Sequence, residues 1–231
     1  MGIDSTKQPN EKTILDAFGL EYSTLSKTSC DDKNDVIMTD LQNKVIDFDR
    51  VKEEYLKRME KGPSETPYSN DALFKIEDTW YFIEFKNGTI NLKENVKIFN
   101  KIYDSMLIFL ETVNKHIDYS RNNIIYVLVF NEESIDKKKI SNLFDKNKYE
   151  EDKELFELAC SEISPSNYRA ALFYGLQNMK PNLDSTYMKP NLDSTTAQFG
   201  LERFERFIFK KVYTIPKYAF DNFFNRYILN E

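Results

Sequence analysis

The chain has 231 residues, 41% of them hydrophobic and 30% charged, and its 18 Phe and 14 Tyr supply enough bulky material for a packed core, so a folded chain is expected. Its longest uninterrupted apolar run, 124–130, falls far short of the roughly 20 residues that span a bilayer, so no membrane segment is expected. The net charge of −6 argues against non-specific attraction to nucleic acid over the whole surface. The two distant cysteines and single histidine support neither a disulfide framework nor a thiolate or two-histidine zinc site.

The opening ten residues are polar and lack the basic and apolar regions of a secretory signal, so a cytoplasmic location is expected. Residues 1–39 mix polar loop with a short helical pattern at 13–18. From 41 onward Val45, Phe48, Val51, Tyr55 and Met59 recur at helical spacing, which predicts one amphipathic helix over 41–59, stopped by Gly62 and Pro63. Two apolar runs, 72–76 and 80–85, flank Glu77, Asp78 and Thr79 and predict a β-hairpin, which Asn87 and Gly88 end.

Asn91 and Glu94 then resemble a capping box opening a helix over 91–113, with Phe99, Ile102, Tyr103, Met106, Leu110 and Val113 on the face that covers the sheet. The β-branched run 124–130 predicts a strand buried on both faces, hence in the middle of the sheet and reached by a right-handed parallel crossover.

Residues 132–163 read as one or two surface helices, and 168–176 as a further helical or buried piece. Residues 179–187 and 188–196 share the octapeptide Met-Lys-Pro-Asn-Leu-Asp-Ser-Thr; two such short copies make a loop insertion, not a repeat fold. Lysines cluster at 137–139, at 146 and 148, and at 210–211, where solvated faces are the simplest account. Residues 199–205 look helical and 207–214 extended. Pro216 opens a last helix that turns Phe220, Phe223, Phe224 and Tyr227 to the core.

The stretch 71–86 carries the chemistry. Side chains alternate along a strand, so Glu84 and Lys86 share one face and Tyr81, Ile83 and Phe85 the other. Charges in an apolar strand need partners or a ligand, because desolvating a lone charge is costly. If the hairpin pairs, Asp71 approaches Glu84, and two such carboxylates suit a hard cation that activates water beside a phosphodiester. Lys86 would then orient the water or neutralise the phosphate. The alternative is an ordinary ion pair between Glu84 and Lys86, with Asp71 capping its loop. Trp80 is expected in the core.

Helix, hairpin with Asp71, the Glu84-Phe85-Lys86 tripeptide, crossover helix and apolar strand together resemble the PD-(D/E)xK nuclease superfamily over roughly residues 41–131. The resemblance implies an α/β fold with a mixed central sheet flanked by helices, a restriction-endonuclease-like core with C-terminal strand and helix additions. The chain length suits one domain over 1–231, with the nuclease-like core at 41–131, helical and loop additions at 132–196, and a terminal strand and helix at 197–231.

The resemblance further implies a magnesium-dependent nuclease acting on DNA, with manganese as a substitute ion. Asp71 and Glu84 would be metal ligands and Lys86 the assisting cation. A further acid comes from the first helix, where Asp47, Asp49, Glu53 and Glu54 are candidates and Glu54 is preferred. Lys97 and Lys101 are the candidate substrate contacts, with Asn100 beside them. The competing expectation is an inactive nuclease-like scaffold that binds a protein partner.

Overall fold

A computed structural model describes residues 9–59, 62–90, 92–131, 134 and 199–229. The expected elements at 132–163 and 168–176, the duplicated octapeptide, the lysines at 137–139, 146 and 148, Cys160 and the Asn91 cap lie outside them. In chain order the elements are α1 (Glu11–Phe18), β1 (Ser23–Thr24), α2 (Leu25–Thr28), β2 (Cys30–Asp31), β3 (Val36–Ile37), β4 (Lys44–Asp47) and α3 (Phe48–Lys57). There follow β5 (Ala72–Ile76), β6 (Thr79–Lys86), α4 (Leu92–Thr112), α5 (Ile117–Asn123) and β7 (Ile124–Phe130). A 3-10 turn (Leu201–Phe204), β8 (Lys211–Pro216), α6 (Lys217–Phe223) and a π turn (Phe224–Ile228) close the series.

Six strands form one mixed sheet in the order β1-β4-β5-β6-β7-β8. Pairing is antiparallel from β1 to β6 and parallel from β6 through β7 to β8. β2 and β3 make a separate antiparallel pair. The expected hairpin is present, with Glu77 at positive φ in its tight turn. The strand at 124–130 is interior, as its unbroken apolar run requires.

Helices cover both faces. On one, Trp80, Phe82, Tyr126 and Leu128 belong to the same core cluster as Phe48 and Val51 of α3 and Ile102 and Phe109 of α4. On the other, Phe74, Ile83, Val127 and Ile215 cluster with Leu25, Phe220 and Phe224. Strand alternation divides β6 between these layers, which is why Glu84, in phase with Trp80 and Phe82, lies on the α4 side. Among the described residues no helix is long and apolar enough to cross a membrane.

Four expectations need correction. The single helix over 41–59 is a strand followed by a helix: Val45 and Ile46 are both fully buried, on opposite faces, and β4 pairs with β1 and β5. Burial of consecutive residues in opposite layers follows the two-residue period of a strand and not the 3.6-residue period of a helix. Asp47 then caps α3, its carboxylate accepting from Arg50 N at 3.3 Å.

On α4 the buried stripe runs through Ile98, Ile102, Met106, Phe109 and Val113, and Tyr103 is exposed. Phe109 turns the helix to that phase by meeting the edges or faces of both Trp80 and Phe82, at ring-centroid distances of 5.1 and 5.3 Å. The last strand starts at Lys211 rather than 207, because Arg206 takes positive φ and its N–H closes a tight loop onto Phe209 O at 2.7 Å. Pro216 ends β8 and precedes the first helical residue. Tyr227 is exposed with Ile228 buried in its place, since the π turn holds more residues than an α turn and shifts the phase.

Candidate functional site

Asp71 stands one residue before β5. The pairing of Ala72 with Ile83 continues outward so that Asp71 faces Glu84 across the hairpin, and Asp71 N donates to Ile83 O at 3.2 Å. The chain leading into it is fastened at consecutive residues. Tyr68 N donates to Asp104 Oδ2 at 2.8 Å, Ser69 Oγ to Asp49 Oδ1, and Asn70 N to Ser105 Oγ at 2.8 Å. Two of those acceptors belong to α4 and one to α3, so both helices set the position of Asp71.

The two carboxylates meet at a third residue. Lys101 of α4 places Nζ 2.6 Å from Glu84 Oε1 and 3.1 Å from Asp71 Oδ1. The second Asp71 oxygen accepts from Phe85 N at 2.6 Å. The cluster is recessed: the side chains of Glu84, Asp71 and Lys101 are 2%, 15% and 24% exposed. Among the described residues, Glu84 Oε2, the Tyr126 hydroxyl and both side-chain polar atoms of Asn70 are buried with no hydrogen-bond partner, although buried polar groups are nearly always paired.

Two carboxylates face one ammonium, so among the described residues the cluster holds one more acid than its cation balances. The excess falls on Glu84: burial, reinforced by the Asp71 charge, pushes its carboxyl up to about 8. Burial also raises Asp71, against the opposing pull of Lys101 and the Phe85 N–H. For Lys101, burial alone would favour the neutral amine, but Glu84 and Asp71 together outweigh it and hold the ammonium above its ordinary range. Burial, with the nearby acids, raises the Tyr126 phenol well above its usual value.

The remaining predicted residues sit elsewhere. Lys86 shares a strand face with Glu84 but directs Nζ to Glu94 Oε2 at 2.5 Å, and Lys97 reaches Glu94 Oε1 at 2.7 Å. Hydrogen bonds from Lys86 and then Lys97 hold Glu94 down at about 2. Glu54 pairs with Lys57 at 2.6 Å on the outside of α3. Asp49, in the first turn of α3, is the acid whose charge acts on both Asp71 and Glu84. Glu54 stands five positions further on, about 140° around a helix of 3.6 residues per turn, so the two cannot serve one site. Sequence reasoning placed Lys101 among the substrate contacts and missed it as the amine joining the acids. Its position beside the apolar stripe of α4 was visible, but its reach to the hairpin was not.

Among the described residues no group of three or more His, Cys, Asp or Glu side chains is arranged to hold a metal ion. Magnesium commonly takes only one or two protein carboxylates and completes its shell with water and phosphate oxygens. Asp71 and Glu84, once Glu84 has lost its proton, fit that donor set. The chain matches no protein-family model, no curated protein and no solved structure.

Proposed function

We propose that the protein is a magnesium-dependent nuclease with a restriction-endonuclease-like core, hydrolysing phosphodiester bonds of DNA. The observation that carries this reading is the convergence of Asp71 and Glu84, from paired strand segments, on one amine in a recess. Helix α3, the hairpin, the crossover helix α4 and the parallel strand β7 also follow in the order the PD-(D/E)xK resemblance requires. The amine role moves from Lys86 to Lys101.

Asp71 and Glu84 would hold the ion, which when bound supplies a Lewis acid that favours ionised water and stabilises charge on the phosphate. Lys101, kept protonated by its two acids, is unsuited to take a proton from water; it contributes a fixed positive charge where the phosphorane develops negative charge. Asn70 and Ser105 maintain the angle at which Asp71 enters. In the reaction a water oxygen forms a bond to phosphorus, one ester P–O bond breaks, and the proton released by the water is balanced by protonation of the departing alkoxide.

A second reading has its own support. Lys101 already supplies a cation to both acids, so a silent nuclease-like scaffold that binds a protein partner would look the same without an ion. Calorimetric titration with Mn²⁺ and cleavage of an end-labelled oligonucleotide separate the two. The nuclease takes up at least one ion and cuts, and Glu84→Gln loses both while keeping the parent's circular dichroism. A folded Glu84→Gln protein that cuts as fast as the parent overturns the assignment.

A further inference from the structure

Lys101 stands where a cation shared by the two acids has to stand. Its Nζ, 2.6 Å from Glu84 Oε1 and 3.1 Å from Asp71 Oδ1, meets one oxygen of each. The other Asp71 oxygen is taken by Phe85 N at 2.6 Å, so Oδ1 is the one this acid offers to a cation. The acids are fixed by the sheet and its surroundings: Glu84 lies inside β6, in register with Leu128 of β7, and Asp71 is tied through its own N–H to Ile83 O and through Asn70 N to Ser105. Lys101 differs from both. Its ammonium ends a flexible four-carbon stem, and its side chain is 24% exposed where that of Glu84 is 2% exposed. The acids therefore keep their places, and the amine is the member able to move.

Resting on the nuclease reading, we infer that Lys101 is a built-in competitor for the divalent ion: its ammonium occupies the acids until an ion takes them, and then turns to the phosphate of the bound strand. An ion shared by both acids bonds to Asp71 Oδ1. At magnesium–oxygen lengths of about 2.1 Å it would lie within about 5 Å of Nζ as that atom now stands. At such a distance inside a recess, where solvent screens weakly, an ammonium and a dication repel strongly. One of the two has to yield, and the lysine head regains its water when it leaves. The ion-free protein needs the lysine for the converse reason, since two recessed carboxylates without a cation are costly to hold together. The exchange puts the amine on the phosphate only after loading, so ion binding precedes the engagement of the strand by Lys101.

The test follows the Lys101 ammonium by nuclear magnetic resonance in the full chain labelled with ¹⁵N-lysine, with and without Mg²⁺. In the ion-free protein the ammonium gives a slowly exchanging signal, because two acids accept from it and the recess shields it from water. Lys101→Arg keeps a cation on the acids and lacks that signal, which assigns it; Lys101→Gln makes the same assignment should the larger head group not fit. Calorimetry on the same sample establishes that Mg²⁺ is bound. The expected result is loss of the Lys101 signal at saturating Mg²⁺, as the released ammonium enters fast exchange with water. A signal that survives with Mg²⁺ bound, or none in the ion-free protein, overturns this inference and leaves the nuclease reading standing. A parent chain that takes up neither Mg²⁺ nor Mn²⁺ overturns the nuclease reading itself and this inference with it.

Discussion

Glu84 is an acid that gains a proton by folding. In the unfolded chain its carboxyl titrates at the ordinary 4.5, and in the folded, ion-free protein at about 8. Between those values the folded state holds the additional proton, so the contribution of this residue to stability falls as pH rises. Thermal melts in EDTA should show a midpoint that declines from pH 5 to pH 8, with the Glu84→Gln variant showing a shallower decline.

The same proton opposes a metal ion. Mn²⁺ affinity should increase as pH approaches 8, and calorimetry in buffers of different ionisation enthalpy should register about one proton released per ion at pH 7. At the same scale the two lysines separate. Lys101→Ala should lower kcat by about a hundredfold, the size of effect seen when one donor to a developing oxyanion is lost, whereas Lys86→Ala should change mainly KM. Were Lys86→Ala the more damaging to kcat, the amine role would return to the tripeptide.

Helix α4 links the core to the site. Its buried stripe, through Ile102 and Phe109, sets the rotation that brings Lys101 over the hairpin and Ser105 against Asn70 N. Phe109 contacts two sheet aromatics by edge packing, and its ring is fully buried. Phe109→Ala should cost about 3–5 kcal/mol in denaturant unfolding, and it should also weaken Mn²⁺ uptake if α4 shifts into the vacated volume.

Element scale is also where reading by pattern succeeded and failed. The hairpin and the 124–130 strand were legible because each is decided by a local, uninterrupted pattern. The 41–59 segment was not, since Val45, Phe48 and Val51 fit a helical period as well as a strand running into a capped helix. Only the neighbours β1 and β5 decided between them. The turn of Tyr103 away from the core likewise came from packing partners distant in sequence, whereas Tyr227 leaves its stripe because the π turn shifts the phase.

At the scale of the whole molecule, the sheet brings together what the chain separates. Residues 71, 84 and 101 lie on three different segments, joined by an antiparallel hairpin and a helix that crosses to a parallel strand. The sequence by itself determined the α/β character, the hairpin, the buried central strand and the candidacy of Asp71 and Glu84. Those follow from alternation, from turn residues and from the cost of placing acids in apolar strands, all of them local properties. Tertiary structure alone decided which lysine meets the acids and which α3 acid stands near them. Both choices depend on the rotation of a helix about its axis, and that rotation is set by the volumes of side chains on the opposing sheet, which no stretch of sequence specifies alone.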